Sequence, residues 1–164
     1  MLKSSEMHLV LVAPRIPANV ASVARTAMAL GAKLHLVGPF GFRLDEKSMA
    51  RASVGYFKEV DYQTYIDFDD FWKSAPVASY IFVTKRGDFD YSEISYSPPL
   101  CLVFGNEEEG VPPEFWEVPG AQKFVSCRIP TVSVRCLNLA VAVGILGFEV
   151  QRQWRLQRKI EGVG

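Results

Sequence analysis

Three stretches of the chain set glycine, proline and polar side chains where a ligand could be held. In the first, residues 13–25 (APRIPANVASVAR), Asn19 stands at the opening of a helical pattern and Arg25 follows six residues later, more than a turn along it. Taken alone, the pair is better accounted for by a plain helix cap with a solvated arginine. In the second, residues 103–116 (VFGNEEEGVPPEFW), Gly105 directly follows an apolar run, so a ligand or another stretch of backbone can approach it closely. Gly110, Pro112 and Pro113 then set a turn and the start of a short helix, while Glu107, Glu108 and Glu109 require a partner or solvent. A metal cage is disfavoured there, because no histidine or aspartate stands at ligand spacing. In the third, residues 127–145 (CRIPTVSVRCLNLAVAVGI), a strand ends at Cys127, Pro130 breaks the chain and Asn138 opens the last helix. The first amides of that helix could take a carboxylate or another polar ligand atom, although a purely structural loop fits as well.

Several competing chemistries lack their residues. No Gly-x-Gly-x-x-Gly fingerprint and no Gly-rich loop ending in Gly-Lys-Ser/Thr occurs, which removes the main support for a dinucleotide enzyme or a phosphate-loop NTPase. Gly-x-Ser-x-Gly is absent too. The two histidines, His8 and His35, fall inside strand-like runs and read as packed residues rather than general bases.

The elements that must position these loops alternate between strand-like and helix-like. The continuous apolar run at residues 8–12 is too short for a buried helix and reads as a strand, as do the runs at 33–37, 79–84, 100–104 and 123–127, with a further one near 57–60. Residues 19–30 place Val20, Val23, Ala24, Ala27, Met28 and Leu30 at helical spacing, with Asn19 as a candidate cap and Gly31 as the stop. Short helices are expected near 45–52 and 68–73. Residues 88–99 are the most loop-like. Residues 139–159 turn from apolar to basic along one long helix with a buried first half. The pattern predicts an α/β fold, a mostly parallel sheet with helices on both faces, in which ligands bind where strands end.

Composition bounds the rest. The chain has 164 residues, 18 Lys+Arg against 18 Asp+Glu, and 49% hydrophobic residues. One compact domain over residues 1–164 is expected, burying roughly 69% of its unfolded surface. Cys101, Cys127 and Cys136 are too few and too scattered for a zinc motif or disulfide framework, and they suit a reducing, cytoplasmic setting. No membrane span is expected. Neutrality argues against a broadly basic nucleic-acid binder but not against one local basic site.

Read in order, the three loops resemble the SPOUT superfamily of RNA methyltransferases, in its SpoU or TrmH-like branch. The first motif of that family is carried by Ile16, Pro17, Asn19 and Arg25. The second is carried by Phe104, Gly105, Asn106, Glu107, Gly110, Val111 and Pro112, and the third by Ile129, Pro130, Cys136, Leu137, Asn138 and Leu139. The minimal length, together with Gly41-Phe42, Arg51-Ala52 and the ending at residues 148–154, looks most like the TrmL type. The resemblance implies a C-terminal trefoil knot over roughly residues 79–158, an exception to ordinary chain topology. It also implies an obligate homodimer and S-adenosyl-L-methionine as cofactor, with no metal. The implied reaction is methylation of a ribose 2′-hydroxyl of RNA, at the wobble nucleotide, position 34, of tRNA.

In that family the first-motif arginine is assigned to the hydroxyl, which falls on Arg25. A guanidinium is no base at neutral pH, so orientation and stabilisation of developing negative charge are the expected role, with Asn19 supporting the geometry. The cofactor would rest on Val83, Thr84, Gly105, Ile129, Cys136, Leu137 and Asn138, with Glu107 bracing the loop or Arg25. RNA contacts are expected from Arg128, Arg135, Arg152 and Arg155, with Lys85, Arg86, Arg158 and Lys159 as further candidates. The sequence departs from the family pattern at Ala21, where a glycine is usual, and at Cys136, where a serine is usual. The loop 131–135 is also about one residue short. These departures motivate an alternative, a catalytically weak or inactive RNA-binding or assembly protein on the same scaffold.

Overall fold

The computed structural model describes residues 6–45, 47, 56–117 and 124–162. Its elements run β1 (Met7–Val12), α1 (Pro17–Leu30), β2 (Lys33–Val37), β3 (Tyr62–Tyr65), α2 (Phe68–Lys73), β4 (Ser79–Val83), β5 (Phe89–Asp90), β6 (Leu100–Phe104), β7 (Phe124–Arg128) and α3 (Leu139–Ile160). Short 3-10 turns lie at Tyr56–Lys58, Tyr91–Glu93 and Pro113–Trp116.

The seven strands form one sheet in the order β3-β2-β1-β6-β4-β7-β5, and every pairing is parallel. Strand residues alternate between the two faces and both faces are covered, which is why β1 and β6 are buried throughout. Leu9, Leu11, Leu100 and Leu102 face α1 and α3, with Val23, Ala27, Val143, Leu146 and Trp154 filling that layer. Val10, Val12, Cys101 and Val103 face the other way, onto an aromatic layer of Tyr65, Phe71, Tyr80, Phe82 and Phe115. Helices therefore cover both faces, as expected. The sheet order also makes β1, β6, β4 and β7 adjacent, so the loops leaving their carboxyl ends converge.

Three local readings change. The strand expected at 57–60 is a 3-10 turn, where Phe57 and Val60 are buried under α1, and the strand lies at Tyr62–Tyr65. That edge strand buries only Tyr65, so its hydrophobic signal is faint. The loop-like segment 88–99 carries β5 and a 3-10 turn. Asn19 is not the cap of α1: Ile16 occupies that position with extended backbone, Pro17 follows at the first helical position, and Asn19 is buried with its side chain turned elsewhere. The helix expected at 45–52 lies largely outside the described residues. By contrast, Gly31 closes α1 in the left-handed region (φ 66°), its N–H donating to the carbonyls of Ala27 and Met28.

Both histidines are strand residues packed in the sheet. His8 Nδ1 and His35 Nε2 lie 3.0 Å apart, and His35 Nδ1 lies 2.8 Å from the Tyr65 hydroxyl, so a polar chain crosses β1, β2 and β3 beneath Phe71. Burial first, and then the charges of His8 and Lys33, push the His35 pKa down to about 3. The folded protein thus resists a proton that the unfolded chain accepts near pH 6.5, so stability falls as pH drops from about 6.5 towards 3. The expected contribution reaches about 3–5 kcal/mol at the acid end. Denaturant titrations between pH 7 and pH 4 should show a steeper loss for wild type than for His35→Gln; equal slopes would refute this origin.

Candidate functional site

Where β1, β6, β4 and β7 end, their loops enclose a cavity of about 590 Å³. Its apolar wall comes from Val83, Phe104, Ile129, Leu137, Leu139 and Ala142, and its polar rim includes Thr84, Asn19, Glu107 and Asn138. A volume of that order suits a cofactor-sized molecule lying against apolar surface with a few fixed polar groups.

The loop after β6 is shaped by its own backbone. Asn106 and Gly110 exchange two hydrogen bonds of 3.1 Å, and the buried Asn106 Oδ1 accepts from the amides of Glu108 (3.0 Å) and Glu109 (2.7 Å). Gly110 sits at φ +77°. The chain folds back so tightly that a Cβ on Gly105 would stand 1.8 Å from the Gly110 carbonyl carbon. Of the two close approaches that Gly105 permits, the one realised is another backbone.

This fold-back carries Glu107 to the start of α1. Its Oε2 accepts from the Arg15 amide (2.9 Å), and its Oε1 accepts from the Ile16 amide (3.1 Å) and from Asn19 Nδ2 (3.0 Å). Asn19 Oδ1 in turn accepts from Asn138 Nδ2 at 3.0 Å. Asn138 caps α3 as expected, its Oδ1 accepting from the amides of Ala140 and Val141. A charged acceptor satisfying two free amides at the head of α1, linked by two carboxamides to the head of α3, ties all three loops together. Glu107 therefore braces the first loop. The partner of the acidic run is Arg15, whose guanidinium pairs with Glu108 and, at 3.2 Å, with Glu109. Sequence reading passed over Arg15; its one signal was a cation in the loop opposite three consecutive acids.

The cavity lining includes Val83, Thr84, Gly105, Glu107, Ile129, Cys136, Leu137 and Asn138, together with Asn19, Arg128 and Arg135. Arg25 is not among the lining residues; it is exposed on α1. Six residues beyond Asn19, it lies about 9 Å further along the axis and about 240° around it. Arg152 and Arg155 are exposed on α3, away from the cavity, and Arg152 makes a bidentate pair with Glu149 at 2.7 and 2.8 Å. Ala21, one of the departures, is buried in the packing of α1, whereas Cys136 is exposed at the cavity. Among the described residues, no group of histidine, cysteine, aspartate or glutamate could hold a metal, and no helix is long and apolar enough to cross a membrane.

The Asn138 link can be tested by two substitutions. Asn138→Ala removes both cap and donor and should cost about 1 kcal/mol in unfolding free energy. Asn138→Asp keeps the cap acceptor but turns an oxygen towards Asn19 Oδ1. It should restore most of that stability while leaving ligand affinity in the cavity about tenfold below wild type. Wild-type affinity in the aspartate variant would show that the link is ornamental.

A family model described as the SpoU rRNA Methylase family matches residues 6–148. The tRNA (cytidine(34)-2'-O)-methyltransferase of Burkholderia ambifaria is 35% identical over 150 residues, covering 89% of this chain and 94% of the relative. A solved structure described as giving structural insights into the 2-OH methylation of C/U34 on tRNA is 38% identical. It superposes with a TM-score of 0.82, covering 91% of this chain and 96% of that one. An AdoMet-bound rRNA methyltransferase from Sinorhizobium meliloti is 30% identical with a TM-score of 0.77, covering 92% of this chain and 58% of that one.

Proposed function

Since the chain belongs to the SpoU methylase family, we propose that it transfers the methyl group of S-adenosyl-L-methionine to the ribose 2′-hydroxyl of the wobble nucleotide, position 34, of tRNA. The observation that carries this reading is the Glu107–Asn19–Asn138 connection, which closes three loops around one cavity at the strand ends. The cavity fits the cofactor: Val83, Phe104, Ile129 and Leu137 offer shape to an adenosine, while Thr84, Cys136 and the loop amides offer polar contacts. When bound, S-adenosyl-L-methionine supplies a methyl group already activated by its sulfonium.

The protein's task is then to orient the hydroxyl and to stabilise the negative charge that grows on its oxygen. Asn19, fixed from both sides, holds the head of α1 against the cavity. Arg25 projects from the same helix outside the lining, where it serves RNA rather than cofactor, supplying a permanent positive charge. Cys136 keeps the small volume of the usual serine with a weak S–H donor.

The catalytic unit in this reading is a homodimer, with the C-terminal segment of roughly residues 79–158 threaded as a trefoil knot. Support for a second copy comes from α3, where Val141 and Phe148 are about half exposed and lie seven residues apart on one helical face with Ile145 between them. The setting is the cytoplasm, where tRNA is modified.

The test is transfer of labelled methyl from S-adenosyl-L-methionine to total tRNA, followed by nucleoside digestion and mapping. Label in 2′-O-methylcytidine or 2′-O-methyluridine at position 34 is expected. Cofactor binding without any transfer to tRNA would overturn the substrate assignment. An inactive RNA binder would instead retain tRNA while failing to bind cofactor at millimolar concentration.

A further inference from the structure

The turn that follows β4 is fastened to β7 at more points than a surface connection requires. The Thr84 amide donates to the Cys127 carbonyl (2.9 Å), the Asp88 amide to Ser126 Oγ (3.0 Å), and Ser126 Oγ to Asp88 Oδ2 (2.6 Å). Gly87 lies so close that a Cβ there would stand 2.0 Å from the Cys127 carbonyl carbon, so no side chain is admitted. Arg128 completes the fastening: Nη1 donates to the Gly87 carbonyl at 2.7 Å, and Nη2 lies 2.7 Å from Asp90 Oδ1. One arm of its guanidinium is thus hydrogen-bonded to the turn and the other is ion-paired to β5.

What this turn presents is Lys85, which lines the cavity and has no side-chain partner among the described residues. Arg135 lines the same cavity, also without one. S-Adenosyl-L-methionine carries a sulfonium and an ammonium against a single carboxylate, so it is a net cation and gains little from a nearby lysine. A ribose with its hydroxyl at the cavity, in contrast, brings a phosphate on either side.

Resting on the tRNA reading above, we propose that Lys85 meets a backbone phosphate beside the target nucleotide, and that Arg128 is a positioning residue that aims Lys85 through Gly87 and Asp90. Arg128 does not itself contact RNA in this arrangement.

The experiment is the salt dependence of unfractionated tRNA binding by the full-length protein, wild type against K85A, D90N, R128K and K85A/D90N. Cofactor affinity is measured in parallel by calorimetry, and folding is checked by thermal unfolding. K85A should reduce the slope of log affinity against log salt by roughly 0.7–0.9, one phosphate's worth. D90N leaves the charge of Arg128 in place yet should weaken tRNA several-fold, and the double variant should bind no more weakly than K85A alone. R128K, which keeps the charge but not the two-armed brace, should behave as D90N does. A direct Arg128–RNA contact makes the opposite forecast, since D90N would release the guanidinium and tighten binding. Either that result or an unchanged slope in K85A overturns the proposal. Lost cofactor affinity in folded K85A also overturns it, by assigning Lys85 to the methionine carboxylate. Lys85 is exposed and outside the buried core, so K85A reads out even if D90N loosens the turn. Wild-type protein that binds no tRNA at any salt would sink the functional reading as well, whereas normal wild-type binding with an unaltered K85A slope sinks this assignment alone.

Discussion

Gly105→Ala should lower affinity for S-adenosyl-L-methionine by about two orders of magnitude and cost on the order of 2–4 kcal/mol of folding stability. The added methyl would enter the Gly110–Val111 peptide, with the Gly110 carbonyl carbon at 1.8 Å and the Val111 nitrogen at 2.0 Å. Backbone cannot turn aside as a flexible side chain can. The opposing strand of the fold-back is held by the Asn106–Gly110 pair and by Asn106 Oδ1, so the whole loop must shift. Glu107 moves with it, and through Glu107 the amides of Arg15 and Ile16 at the head of α1. A single methyl is thereby felt in two of the loops that line the cavity. Gly144→Ala is the control for the protomer: within one chain a Cβ there meets nothing within 4 Å, and alanine in mid-helix should add about 0.5–1 kcal/mol to the protomer's own stability. Calorimetric titration and urea unfolding of the two variants give the comparison. Near-wild-type binding by Gly105→Ala would mean that the loop is softer than its hydrogen bonds indicate.

Arg25→Ala should reduce single-turnover methyl transfer to tRNA by about 10²–10³, while cofactor affinity stays within about twofold of wild type. The asymmetry follows from placement. Arg25 lies outside the cavity lining, on a different face of α1 from Asn19, so its removal leaves the cofactor's surroundings intact. In the proposed reaction its charge would count as the hydroxyl oxygen becomes negative, which would make the loss one of rate rather than of binding. Arg25→Lys should recover only part of the rate, because an ammonium lacks the planar fork. Cofactor affinity lost in a folded Arg25→Ala protein, or transfer at the wild-type rate, would remove Arg25 from the role given to it.

Much of the scaffold was legible because its signals are local. The strands at Lys33–Val37 and Leu100–Phe104 are short, largely apolar runs between turn residues, and both stand where the pattern put them. Asn138 at the head of α3 and Gly31 at the end of α1 are caps whose chemistry belongs to single residues. Edge strands were less legible. β3 buries one residue of four and β5 is two residues long, so neither leaves a hydrophobic pattern to read. Asn19 misled for a physical reason: cap propensity describes an asparagine that has no better partner, and here Glu107 and Asn138 are better partners.

The alternation of strands and helices, the three loops that matter and the family they belong to are written in the chain, because periodicity, turn chemistry and motif spacing are carried along it. Which residues meet is a property of the folded sheet. Glu107 reaches Asn19 across 88 positions and Asn138 reaches Asn19 across 119, contacts fixed by a sheet order that sets β6 against β1 and brings β7 within one strand of β6. The same folding put Arg15 against the acidic run, set the guanidinium of Arg128 against Gly87 and Asp90, and left Arg25 outside the cavity. Which partner a polar side chain finds depends on hydrogen bonds made across the sheet, and spacing along the chain carries no record of them.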